Sequence, residues 1–324
     1  MTRQPGGRPG WLRALALILC CGLGPGTATL AGAPVPATLQ SEPERLLVSA
    51  AGQQVTVWAR QSEHPQGAVV LVHGRTWSAR PDFDFEPRSG SRSLLKALAA
   101  AGFAAYAIDL PGYGSSPRVS SGWLAPTRAA EVVEAVLAVV AHRHPDLPAP
   151  VLLGWSRGSK ISALVASRAR QPLSALVLYG YNLDPTAPPD NGPASGKAPA
   201  RPNTAEWARS DFVTPAVASP ALIEDFVRAA LEADPIRVDV CCDVEFRGIH
   251  PQAIRVPTLL LHGARDPAFK PPVAAAFFSH LATAERRWII VASGDHAAHL
   301  EDCGPEVTAA MIDFIHAALA QASR

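Results

Sequence analysis

The 324-residue chain holds five cysteines, and it contains neither a C-x-x-C pair nor an H-E-x-x-H run. Those absences remove two common zinc signatures, the Cys/His cage and the helix-borne histidine pair of metallopeptidases. Excess charge is missing too. There are 29 Lys and Arg against 28 Asp and Glu, with no basic stripe, so nucleic-acid binding is not expected. Aromatic residues make up only 6 %, yet 48 % of the chain is apolar. Over this length that is enough for a large core, in one large domain or two small ones. The prolines cluster in a few stretches that read as connections.

The N-terminus reads differently from the rest. "MTRQPGGRPGWLR" carries three arginines and no acid, "ALALILCCGLG" is apolar, and small residues follow to "LAGA". The apolar run is too short to span a bilayer comfortably. The order of charged, apolar and small segments predicts a secretory signal over residues 1–33, cleaved after Ala31-Gly32-Ala33. No small residue precedes Cys20 or Cys21, which argues against a lipoprotein. The expected location is periplasmic or extracellular, with an uncleaved N-terminal anchor as the alternative. Residues 34–324 then form the folded part, with no stable membrane span once the signal is gone. Cys241, Cys242 and Cys303 would remain, in a compartment where disulfides persist. Three expectations stand side by side: Cys303 bonded to Cys241 or Cys242, Cys241 and Cys242 bonded to each other in a strained ring, or three buried thiols packing as small apolar groups.

From residue 44 a rhythm sets in. "ERLLVSAAGQQVTVWAR" alternates on both sides of Ala51-Gly52 and predicts a hairpin. Short, continuously apolar runs follow: "AVVLVHG", "AAYAIDL", "PVLLGWS", "ALVLYGY", "PTLLLHG" and "RWIIVAS". Helical patterns separate most of them, several opening on proline, which the first turn of a helix tolerates. Strand–helix alternation with unbroken apolar strands predicts an α/β fold, a mostly parallel sheet with helices on both faces. The rhythm breaks between about 182 and 256. There a Pro/Gly/Ser-rich stretch precedes a helix with Ser219 at its cap and Pro220 at its first position, which suggests an inserted cap.

In such sheets ligands sit beyond the carboxyl ends of the strands. One strand leaves through "GWSRGSK", which sets Ser156 between Gly154 and Gly158. A bare G-x-S-x-G is weak, since about one serine in 200 matches it at average glycine content. Between a buried strand and a helix it reads as a nucleophile elbow. The chain thus resembles the α/β-hydrolase superfamily from about residue 44 to 320, and further stretches carry the likeness. "LVHGRTWS" resembles the turn whose amide helps hold an oxyanion, which implies backbone donors at Arg75 and Arg157. "IDLPGYGSS" is similar to the superfamily's Asp-x-x-Gly-x-Gly-x-Ser run, with Asp109 read as a turn-former. "LLHGARDP" resembles the acid turn and points to Asp266, with Asp184 as its rival beyond the preceding strand.

"SGDHAAHLED" follows the last strand, where the superfamily carries its catalytic histidine. Aligning "HLE" makes His296 the base and His299 its packing neighbour. Asp295 stands where a small or neutral residue is usual, close enough to place a charge near the imidazole. The resemblance implies a serine hydrolase acting on a small-molecule ester or related acyl substrate, with no cofactor and no metal. Amide, peptide or carbon–carbon cleavage, acyl transfer to an alcohol, and a non-catalytic binding relative are the alternatives. Serine at the elbow argues against dehalogenase and epoxide-hydrolase chemistry, which uses aspartate there.

Overall fold

The computed structural model describes residues 42–189, 196–214 and 216–322. The expected signal over residues 1–33 lies outside the described residues. Eight strands form one sheet: β1 (Glu44–Ala50), β2 (Gln53–Gln61), β3 (Ala68–Val72), β4 (Ala104–Ile108), β5 (Val151–Trp155), β6 (Ala175–Tyr179), β7 (Thr258–Gly263) and β8 (Arg286–Val291). Their spatial order is β1-β2-β4-β3-β5-β6-β7-β8. β1 and β2 form an antiparallel hairpin, β2 runs antiparallel to β4, and the remaining pairs are parallel. The hairpin turns where Ala51 and Gly52 both take positive φ, at 47° and 80°, as a tight two-residue loop requires.

The apolar runs of β3 to β7 are buried along their whole length on both faces, whereas β8, at the edge of the sheet, is mostly part-exposed. In β3, Val70 and Val72 face one packed layer while Val69 and Leu71 face the other. Both layers are made by helices. On the first lie α3 (Pro126–Arg143), α4 (Arg157–Arg168) and α7 (Pro271–Ser279), through residues such as Val133, Leu137, Ile161, Leu164 and Phe277. On the second lie α2 (Leu94–Ala100) and α8 (Gly304–Ala322), through Leu95, Leu98, Met311 and Ile315. Fully burying one such side chain contributes about 1.5–3 kcal/mol. A polar substitution in the middle of β3 or β5 would therefore be buried whichever face it points to.

The segment between β6 and β7 holds α5 (Ala205–Arg209) and α6 (Pro220–Ala233). Ser219 caps α6, its Oγ accepting from the Leu222 amide at 3.2 Å. The short α1 (Ala79–Phe83), which has no clear sequence signal, follows the β3 turn. Phe226 of α6 is packed edge-on by Trp77, Phe85 and Phe212. Asp225 accepts from the Arg88 amide at 2.9 Å, and Asp234 from the amides of Ser78 and Gly114, both at 2.7 Å. A two-residue ladder joins Trp123–Leu124 to Asp239–Val240. The segment is thus bonded to the loops that leave β3 and β4.

The two disulfide expectations need correction. Cys303 makes no disulfide, and all three described cysteines are free. Cys303 Sγ donates to the Ala298 carbonyl at 3.5 Å, while Cys241 and Cys242 hold their sulfurs against each other, 2.6 Å apart. The sheet explains the separation. Cys303 packs against the α8 layer, whereas the Cys241 amide bonds to Leu124, which belongs to the opposite layer.

Candidate active site

The chain leaves β5 at Trp155 and enters α4 at Arg157, so one residue, Ser156, makes the whole turn. Its φ of 54° and ψ of −118° lie where L-residues rarely stand, a strain of order 1–3 kcal/mol. The turn is also crowded. A Cβ at Gly158 would meet the carbonyl of Val72, and one at Gly154 would meet the carbonyl of Gly158. The Ser156 amide donates to the Tyr179 carbonyl at 2.8 Å, which pins the elbow to β6.

The strain has a chemical result. A serine at a helix N-cap ordinarily turns its hydroxyl back to accept from the first-turn amides. Ser156 makes no such cap bond, and its Oγ lies 2.8 Å from His296 Nε2. The first amide of α4, that of Arg157, has no acceptor within its own helix and stands at the positive end of the helix dipole.

His296 is held from several sides. Its Nδ1 lies 2.8 Å from Asp266 Oδ2, and the other Asp266 oxygen accepts from the Ala268 amide at 2.7 Å. Its backbone carbonyl accepts from Trp155 Nε1 at 2.9 Å and from the Tyr179 hydroxyl at 3.1 Å. The structure therefore brings Ser156, His296 and Asp266 into one hydrogen-bonded line. It does not bring in Asp184, which bonds Thr186 at 2.6 Å and pairs with Lys270 at 3.3 Å. Nor does it bring in His299, whose Nε2 lies 2.9 Å from the Asp82 carbonyl and whose burial pushes its pKa down to about 3. Asp109 sits in its turn, accepting from Trp58 Nε1 and the amides of Ala79 and Ser115.

The turn after β3 abuts the elbow: a Cβ at Gly74 would stand 3.6 Å from that of Ser156. His73 fixes this turn. The Leu110 amide donates to His73 Nε2 at 3.1 Å, which leaves the proton on Nδ1, 2.9 Å from the Gly74 carbonyl. Burial lowers the His73 pKa to about 4, so the ring stays neutral and keeps that tautomer. The Gly74 carbonyl belongs to the peptide whose N–H is Arg75's, and the Arg75 carbonyl accepts from the Tyr113 hydroxyl. Both peptides flanking Arg75 are thus held, one by His73 and one by Tyr113. Neither partner's role is visible in the sequence, though His73 lies in "LVHGRTWS" and Tyr113 in "IDLPGYGSS".

Asp211, just beyond α5, has no sequence signal at all. It accepts from Trp77 Nε1 at 2.6 Å, and burial pushes its pKa up to about 7. Asp295 is fully buried, bonded to the amides of Thr214 and Ala297. Burial alone would lower the His296 pKa. Its bond to Asp266, and the charges of Asp266, Asp211 and Asp295, outweigh that and raise it above the ordinary 6.5. Among the described residues, no group of three or more His, Cys, Asp or Glu side chains is arranged to hold a metal ion. No described helix is long and apolar enough to cross a membrane.

Comparison with known proteins gives the lineage. No curated protein matches the chain. Solved structures do. An esterase from Thermogutta terrifontis is 18 % identical, with 85 % of this chain and 99 % of that one covered at a TM-score of 0.58. An esterase from Exiguobacterium antarcticum is 19 % identical, with coverage of 84 % and 100 % and a TM-score of 0.59. A monoacylglycerol lipase from Paleococcus ferrophilus is 20 % identical, with coverage of 81 % and 99 % and a TM-score of 0.57. At such identities the likeness speaks for the fold alone. The profile of the alpha/beta hydrolase family matches residues 69–310, across the elbow, the acid turn and the histidine loop. The chain belongs to the alpha/beta hydrolase family.

Proposed function

We propose that the protein is an exported serine hydrolase that cleaves carboxylic esters through an acyl-enzyme. The observation that carries this is the unbroken line from Ser156 Oγ to His296 Nε2 and from His296 Nδ1 to Asp266, each link 2.8 Å. A serine hydroxyl is a poor nucleophile at its own pKa and needs a base to take its proton during attack. Neutral His296 takes that proton as Oγ bonds to the ester carbonyl carbon. Asp266 keeps the other ring proton on Nδ1 and stabilises the imidazolium that forms.

The carbonyl oxygen becomes an oxyanion, and the amides of Arg75 and Arg157 donate to it, each typically worth about 3 kcal/mol. Collapse breaks the bond to the alcohol, which leaves with the proton held on His296. Water then repeats the sequence, with His296 accepting its proton, and releases the acid and Ser156. The segment between β6 and β7 acts as a cap that shapes the entry to the serine.

The reading is tested on a panel of esters as a function of pH. Only neutral His296 can accept the Ser156 proton, so kcat/KM falls as pH drops through the His296 pKa. Because that pKa is raised, the midpoint of the acid limb is expected above 6.5. Asp211→Asn removes one of the charges that raise it, so the limb should move to lower pH. Asp211 and His296 titrate as a coupled set, so the profile reports their shared apparent values. A limb well below pH 6, unmoved by Asp211→Asn, would contradict the assignment, and no turnover of any ester would contradict ester cleavage.

A further inference from the structure

A cavity beside the catalytic line is not lined by Ser156 or His296. It encloses about 950 Å³ and begins one step away from them. Tyr181 and Asn182 of its wall follow Gly180, whose position faces the His296 ring: a Cβ there would stand 3.4 Å from His296 Cε1. Lys160 of its wall lies one turn along α4, its amide bonding back to the Ser156 carbonyl at 3.4 Å. Helical side chains lean toward the N-terminus, so the Lys160 stem extends over the turn that carries Ser156.

The charges around this cavity do not cancel. Its two carboxylates are both engaged, Asp184 with Lys270 at 3.3 Å and Asp243 with Arg157 at 2.7 Å. Lys160 is half-buried, and its ammonium has no hydrogen bond or ion pair among the described residues; its Nζ stands 5.5 Å from the centre of the Phe246 ring. Much of the remaining wall is apolar, with Tyr181, Leu183, Phe246 and Phe277 prominent. A part-buried ammonium beside other cations, with no anion of its own, is costly to hold. Burial, Arg157 and Arg75 together lower its pKa to about 8, against the pull of Asp243. Arg247 of the wall is exposed to water, so Lys160 is the part-buried cation there that no anion compensates, and such a wall fits an apolar body that ends in an anion.

We propose that this cavity binds a carboxylate-bearing substrate through the Lys160 ammonium, so that the preferred esters carry a free carboxylate a short chain away from the scissile bond. As a statement about substrates this rests on the ester-hydrolase reading above; as a statement about binding it stands alone. The carboxylate supplies the missing counter-charge, and its hydrocarbon chain lies against Phe246 and Leu183. A neutral ester of the same length fills the same walls and leaves Lys160 uncompensated.

The test separates binding from turnover. Calorimetry on Ser156→Ala, which cannot turn over, compares monomethyl esters of linear diacids from succinate to suberate with their dimethyl counterparts. At least one monomethyl ester is expected to bind roughly tenfold tighter than its dimethyl partner. Lys160→Met in the same background should abolish that difference, and Lys160→Arg should keep most of it. Lys160→Gln carries the same comparison if the methionine variant does not fold. Equal binding of the two ester types, or a preference that survives loss of the cation, overturns the proposal. Hydrolysis of the same esters by the unsubstituted protein is read separately. Preferential binding without hydrolysis removes the ester reading and leaves the carboxylate site, and hydrolysis without preference does the reverse.

Discussion

Ser156→Ala is expected to lower kcat by roughly four to six orders of magnitude while the protein stays folded. Alanine at this position accepts the same strained backbone, loses only a half-buried hydroxyl, and leaves Gly154 and Gly158 in their close contacts. The Arg75 and Arg157 amides proposed to hold the oxyanion remain, so a residual rate above the uncatalysed one should persist. KM should change little, because the hydroxyl acts on the transition state more than on the bound ester. Steady-state kinetics on a chromogenic ester, with circular dichroism to confirm the fold, checks this. A folded variant with near-normal kcat would remove Ser156 from the chemistry.

His296→Ala and His299→Ala should separate two histidines that stand three residues apart. Loss of His296 is expected to cost about as much in kcat as loss of Ser156, and the double variant should be no worse than either, because the two groups act as a unit. His299 is buried, its ring tied to the Asp82 carbonyl and, at 3.3 Å, to the Tyr179 hydroxyl. Removing it strands those partners and leaves a cavity. It should cost about 2–4 kcal/mol of stability, with kcat within about tenfold. Urea unfolding beside kinetics on both variants decides the matter, and the reverse ranking of the two kcat values would exchange their roles.

The central strands β3 to β7 were legible because each one is buried on both faces, so its whole length reads as apolar. Val69 to Val72 and Leu259 to Leu261 need no partner in sequence to be recognised. Ser156, Asp266 and His296 were legible for another reason: each leaves a strand end in a short stretch whose glycines and turn residues are dictated by crowding. What escaped notice depends on contacts between distant segments. His73 reaches Leu110, Tyr113 reaches Arg75, and Asp211 reaches Trp77 across 134 residues of sequence. Their residue types are ordinary, and only the folded chain gives them a task. Of the cysteine readings the free thiols are what the structure shows, and the disulfide to Cys303 failed for the same reason, since which face of the sheet a loop packs against is not written in the loop. Lys160 has no sequence signal of its own, and its ammonium's lack of an anion is a property of the cavity wall.

The central claim is that Ser156 is a nucleophile activated by His296, and a fluorophosphonate probe tests it most directly. Such probes label serines that a neighbouring base has activated and spare ordinary hydroxyls. Peptide mapping of the labelled protein should place a single adduct on Ser156, absent after heat denaturation and strongly slowed in His296→Ala. An adduct on a different serine, or full ester turnover in protein that takes up no label, would contradict the account.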